Sequence, residues 1–141
     1  MGLWLLVCAG LLLCQGGYAE FPTKEFLEML KPVIEKCEGL TGVDKELVEK
    51  FGRGEGVVDD PKLKCYMKCI FTEFDVLDEA TGTFKYDKML GLLPQDMRVV
   101  AFDMGKQCTH FKGEGGADLC QVSFDLHSCW QKADPQHYFL M

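Results

Sequence analysis

The sequence predicts an all-α fold, with about six short helices around an apolar cavity and three disulfides stapling them together. Apolar residues recur at the i, i+3, i+4, i+7 spacing of a helix face in segment after segment, and no window alternates long enough to argue for a sheet. Six cysteines, at 37, 65, 69, 108, 120 and 129, follow an apolar leader, and an even number in a secreted chain reads as three bridges. The chain also closes on Tyr138-Phe139-Leu140-Met141, apolar residues in a place that water normally claims, which points to a tail buried in the interior.

The leader "MGLWLLVCAGLLLCQGGYA" carries an apolar run from Leu3 to Leu13 and then small residues at Gly17 and Ala19. It reads as a secretory signal, residues 1–19, cleaved after Ala19. About 11 strongly apolar residues are too few to cross ~30 Å of hydrocarbon. Residues 20–141 then form a single helical domain and keep the whole net charge of −7. An acidic surface is repelled by phosphate backbones, so nucleic acid is excluded as a partner.

The helices follow in order. In "FPTKEFLEMLKPVIEKC", Phe26, Met29, Leu30, Val33, Ile34 and Cys37 share one face, with Pro32 expected to kink the helix. Asp44 caps a short second helix bearing Leu47, Val48 and Phe51, which stops at Gly52. "GRGEGVVDD" is a loop without the Lys-Ser/Thr ending of a phosphate site. Pro61 opens the third helix, "PKLKCYMKCIFTEF", which "DEATGT" breaks. A short fourth helix holds Tyr86, Met89, Leu90 and Leu93 and ends at Pro94. The fifth, "PQDMRVVAFDMGKQC", repeats the apolar face through Met97, Val100, Ala101, Met104 and Cys108. After a flexible "KGEGGAD", the sixth runs "LCQVSFDLHSCWQKA" until Asp134-Pro135.

Helix geometry restricts the bridges without deciding them. Cys65 and Cys69 lie one turn apart on the same face, badly aimed at each other, and Cys120 and Cys129 are ~13.5 Å apart along a helix. Excluding those two pairs leaves most connectivities open, each linking different helices. Metal ligation is not supported, because there is no Cys-x2-Cys knuckle and no His-x3-His partner. Nothing suggests a cofactor. Nor does the chain read as an enzyme. After the leader its only serines are Ser123 and Ser128, no Gly-x-Ser-x-Gly elbow occurs, and His127 beside Ser128 cannot face it on a helix.

The spacing Cys37-x27-Cys65-x3-Cys69-x38-Cys108-x11-Cys120-x8-Cys129, with "KLKCYMKC", "MGKQC" and "CWQKADPQHYFLM", resembles that of insect odorant-binding and pheromone-binding proteins, in the subgroup whose C-terminal tail folds over the ligand. The resemblance covers the whole of residues 20–141. It implies bridges Cys37–Cys69, Cys65–Cys120 and Cys108–Cys129. It also implies a cavity wall made of Tyr86, Met89, Leu93, Ala101, Phe102, Met104, Gly105 and Phe124, with Phe139 and Leu140 from the tail. The function implied is a secreted carrier in extracellular fluid, the sensillar lymph if olfactory. Small apolar volatiles would be its ligands and an olfactory receptor or the receptor-neuron membrane its destination. A monomer or weak homodimer is expected.

The composition agrees with such a wall. Methionine at 29, 67, 89, 97, 104 and 141, together with ten phenylalanines, supplies soft and flat apolar surface on helices too short for a regular bundle. An interaction protein with the same scaffold, a filled core and a tail docked on a partner is the competing reading. Ordering the tail costs roughly 1.5 kcal/mol per residue, about what burying its side chains returns, so a lid built from it is poised. His137, and the carboxylate of Met141 with Tyr66 as donor, are the expected elements of a pH switch that opens the cavity on acidification.

Overall fold

A computed structural model describes residues 21–56, 59–109 and 117–140. Residues 1–20, Val57, Val58, His110 to Gly116 and Met141 lie outside the described residues. Among the described residues there are six α-helices: α1 (Lys24–Thr41), α2 (Lys45–Gly52), α3 (Pro61–Glu73), α4 (Tyr86–Leu92), α5 (Gln95–Gly105) and α6 (Leu119–Ala133). The sequence places most of their starts by capping. Thr23, Asp44, Asp60 and Asp118 each accept a hydrogen bond from a backbone N–H of the first turn, at 2.8 to 3.3 Å. Gly42 ends α1 in the left-handed conformation, φ 63°, where a side chain would be strained.

α1 includes Pro32, and because Pro32 and Glu28 one turn before it are solvent-exposed, the carbonyl that loses its donor can be hydrated. One expectation is corrected. The fifth helix does not run to Cys108: α5 ends at Gly105 and the chain tightens into a 3-10 turn, Lys106–Cys108. Between α3 and α4 the "DEATGT" break is an Asx turn. The Asp78 carboxylate accepts from the N–H groups of Ala80 and Thr81 (2.9 and 3.1 Å), and a single antiparallel bridge joins Leu77 to Phe84.

The bridges are Cys37–Cys69, Cys65–Cys120 and Cys108–Cys129, the set that the resemblance implied. They tie α3 to α1, α3 to α6, and the 3-10 turn to α6. Because Cys65 and Cys69 are one turn apart, their partners approach α3 from two neighbouring helices. α3 is therefore the hub. Its Leu63, Tyr66 and Met67 are fully buried, and it packs most extensively on α6 and then on α1. The short α2 joins the same core through Val48 and Phe51, with the Phe51 carbonyl accepting from Gln131 Nε2 of α6. A second apolar cluster, Phe26, Leu30 and Met97, links α1 to α5. The cavity is bounded by residues of both clusters.

Candidate functional site

The helices packed around α3 leave space between them. The result is a cavity of ≈ 140 Å³. α1 contributes Phe26, Met29 and Leu30, and α3 contributes Ile70 and Phe71. Tyr86, Met89 and Leu92 come from α4, Met97, Ala101 and Met104 from α5, and His127 and Trp130 from α6. Phe74, Val76 and Leu93 fill the joints between helices. Met29 and Leu92 are exposed as well as lining, so they stand at the rim.

The tail supplies a further side of the wall. After α6, the Tyr138 N–H donates to the Asp134 carbonyl (3.0 Å), which turns the chain back across the helices. His137 Nδ1 lies 2.8 Å from the Asp134 carboxylate and anchors the same turn. Tyr138 then enters the interior edge-on to Phe51, and its hydroxyl sits 2.9 Å from His127 Nδ1. Phe139 packs edge-on against Phe21 and Phe26, with centroids 5.7 and 6.3 Å away. Leu140 crosses Gly52, where a Cβ would lie 3.3 Å from the tail's own backbone nitrogen and oxygen. Glycine at 52 lets the tail lie flush on α2.

Burial sets the protonation of the wall. His127 is stacked on Phe71 (4.8 Å, 4° between planes), and desolvation pushes its pKa down to about 3, so the ring is neutral. Burial likewise raises Tyr86 to about 12 and Tyr138 well above its ordinary range, so both remain neutral phenols. Tyr86 donates to the Ala101 carbonyl at 2.7 Å.

Of the residues singled out from the sequence, Tyr86, Met89, Leu93, Ala101, Met104, His137, Phe139 and Leu140 meet at this cavity. Phe102 does not. It is 53% exposed, because it follows Ala101 by 100° around α5 and points off the apolar stripe. Gly105 is buried but is a seat and not wall: a Cβ there would fall 1.0 Å from the Tyr86 hydroxyl oxygen. Phe124 packs on Phe51, with Lys64 Nζ 5.3 Å over its ring. Tyr66 lies in the hub, its pKa raised by burial and by Glu38, and it does not line the cavity; Met141 is outside the described residues.

Sequence reasoning missed Phe26, Met97 and Trp130 as wall, placed Tyr138 there only as part of the buried tail, and took His127 only as a weak catalytic candidate. The signal was available. Phe26 and Met97 lie on helical stripes, and His127 and Trp130 are three apart on α6. The serines have no nucleophile geometry, since Ser123 and Ser128 each donate back to a carbonyl of their own helix, at 2.7 and 2.8 Å.

The same architecture occurs in proteins of known kind. An odorant-binding protein of Locusta migratoria has a TM-score of 0.67 and 25% identity over 79% of this chain and 83% of that one. Odorant-binding protein 7 of Anopheles gambiae, solved with four disulfide bridges and in complex with an azo compound, also scores 0.67, with 26% identity over 79% and 88%. General odorant-binding protein 69a of Drosophila melanogaster is 22% identical over 126 residues, covering 89% of this chain and 81% of that protein. The profile of the PBP/GOBP family matches residues 19–133, from the end of the leader to the end of α6, and the chain belongs to that family.

Proposed function

We propose that the protein is a secreted carrier. It encloses a small apolar molecule, an odorant or pheromone, ferries it through aqueous extracellular fluid, and passes it to an olfactory receptor or the receptor-neuron membrane. The observation that carries this reading is a cavity with an almost wholly apolar wall, one side of which is supplied by the chain's own tail. Removing apolar surface from water is favourable by ~25 cal/mol per Å², which is the driving force such a carrier needs. An apolar cavity of about 150 Å³ accepts a benzene-sized molecule. The methionines at 29, 89, 97 and 104 let the wall adapt to other shapes. The azo compound bound by the Anopheles gambiae protein supports a small organic occupant. Catalysis has no support in the wall, and the family is one of carriers.

Release on acidification belongs to the same proposal, and His127 is the group that drives it. Charging His137 beside the Asp134 carboxylate would tighten that contact. Charging His127 would place a cation among Phe71, Trp130 and Tyr138, whose phenol is the titratable group it touches. The closed tail therefore disfavours proton uptake at His127, and proton uptake disfavours the closed tail.

Displacement of a fluorescent apolar probe tests both parts. The full chain takes up the probe saturably at neutral pH, and a chain ending at Asp134 binds it several-fold more weakly. Equal affinity of the two at neutral and acidic pH would remove the lid. No uptake by either would remove the carrier.

A further inference from the structure

The methionines differ widely in their access to water. Met67 and Met97 are 0% and 1% exposed and Met104 is 9%, whereas Met29 is 49% exposed. Met89 is half-buried. Met29 is therefore the methionine most open to solvent among the described residues. It is also a wall residue, continuing the face that Phe26 and Leu30 present to the cavity. A thioether with water on one side and the cavity on the other stands in the mouth. Leu92 shares that position on α4, but a hydrocarbon side chain is inert to mild oxidants and a thioether is not. No thiol of the described residues competes for the oxidant, since Cys37, Cys65, Cys69, Cys108, Cys120 and Cys129 are all bridged.

We propose that Met29 is a reversible oxidation site in the mouth of the cavity, and that its conversion to the sulfoxide by a peroxide loosens the hold on an apolar guest. The inference rests on the carrier reading and adds a regulation of the same site.

The peroxide alone balances the chemistry. The Met29 sulfur gives an electron pair to one peroxide oxygen, an S–O bond forms as the O–O bond breaks, and the departing oxygen takes up the proton and leaves as water. Sulfur is oxidised, the peroxide is reduced, and no bond of the chain is cut. The new oxygen is a strong hydrogen-bond acceptor, and turning it toward an almost wholly apolar wall without a donor is costly. Water lies on its other side. The oxidised side chain therefore turns outward, and the mouth loses the apolar cover that the thioether gave. The fold has little stake in the change, because Met29 belongs to neither buried cluster. Met97 and Met104, whose oxidation would disrupt the interior, are shielded.

Graded doses of hydrogen peroxide, with N-phenylnaphthylamine as the fluorescent apolar probe, test the proposal on the full chain. Mass spectrometry of tryptic peptides reports each methionine, and the fragment 25–36, kept whole because Pro32 blocks cleavage after Lys31, carries Met29 as its single methionine. That fragment gains an oxygen atom before those bearing Met67, Met97 or Met104. Probe affinity falls about four-fold in step with it, the worth of one buried methylene, while thermal melting is little changed. Methionine sulfoxide reductase restores both the mass and the affinity. Met29→Leu, whatever its starting affinity, loses none of it on treatment. Should that variant fail to fold, recovery of the parent by the reductase decides alone. Oxidation of Met29 with unchanged affinity overturns the switch and leaves the carrier standing. So does an equal loss in Met29→Leu, a loss that the reductase does not reverse, or earlier oxidation of the buried methionines. Absence of probe uptake before any treatment overturns the carrier reading and the switch together.

Discussion

Gly105 and Tyr86 show how a single hydrogen atom in place of a methyl group shapes the wall. The Tyr86 ring lies against the α5 backbone, where any Cβ at 105 would overlap its hydroxyl. Gly105→Ala therefore expels the phenol, breaks its hydrogen bond to Ala101 and disturbs the wall; a loss of ~1–3 kcal/mol is expected in urea denaturation. Tyr86→Phe should cost about 1 kcal/mol, and in that background Gly105→Ala should cost less than it does alone by the hydrogen bond already removed, while the ring, whose Cζ would lie 1.9 Å from the new Cβ, still has to move. Phe102 and Met104 make the complementary pair on α5. Met104 is 9% exposed and Phe102 53%. Phe102→Glu is expected within ~0.5 kcal/mol of the parent, whereas Met104→Glu buries an unpaired charge and abolishes probe binding or folding.

At the scale of elements, the helix boundaries are legible because Asp, Gly and Pro punctuate them for local reasons. Asp44, Asp60 and Asp118 satisfy first-turn N–H groups, and Gly42 takes the left-handed conformation that closes α1. What the sequence does not disclose is the outcome of tertiary competition. Solvent around Pro32 lets α1 continue, and nothing local in "GKQC" reports the tighter turn that carries Cys108 to Cys129. The site divides in the same way. Met89 and Met104 follow from periodicity and family pattern, but Gly105 as a seat and the approach of Tyr138 to His127 depend on elements far apart in sequence. The tail gives two expected outcomes. Gly52→Ala pushes against the backbone of Leu140 and should weaken probe affinity without unfolding the core, as read by paired probe titration and thermal melts. The pH dependence has a definite sign. His127 is held at about 3 when the tail is shut and would return toward 6.5 when released, so the open state binds the extra proton. Closure should be full above pH ~6.5 and should weaken by up to about 1.4 kcal/mol per pH unit as pH falls toward 3. His127→Phe should flatten this profile of probe affinity against pH.

At the scale of the molecule, the three bridges close loops with sequence separations of 32, 55 and 21 residues. Chain-entropy arguments assign each about 3–4 kcal/mol, together comparable to the whole stability of a small domain. Excess reductant should therefore abolish the cooperative thermal transition and probe uptake together, as followed by circular dichroism and fluorescence. The distribution of the bridges has another consequence. Two of them bolt α1 and α6 to the α3 hub, whereas α4 and α5 are reached by a bridge only through the turn beyond the C-terminal end of α5. α4 has no buried residue and no side-chain cap. The enclosure is thus a stiff half-shell faced by a compliant flap. Bulkier guests would be accommodated by α4 and α5 swinging outward while α1, α3 and α6 stay in register, and amide hydrogen exchange should quicken on that one side as guest volume grows.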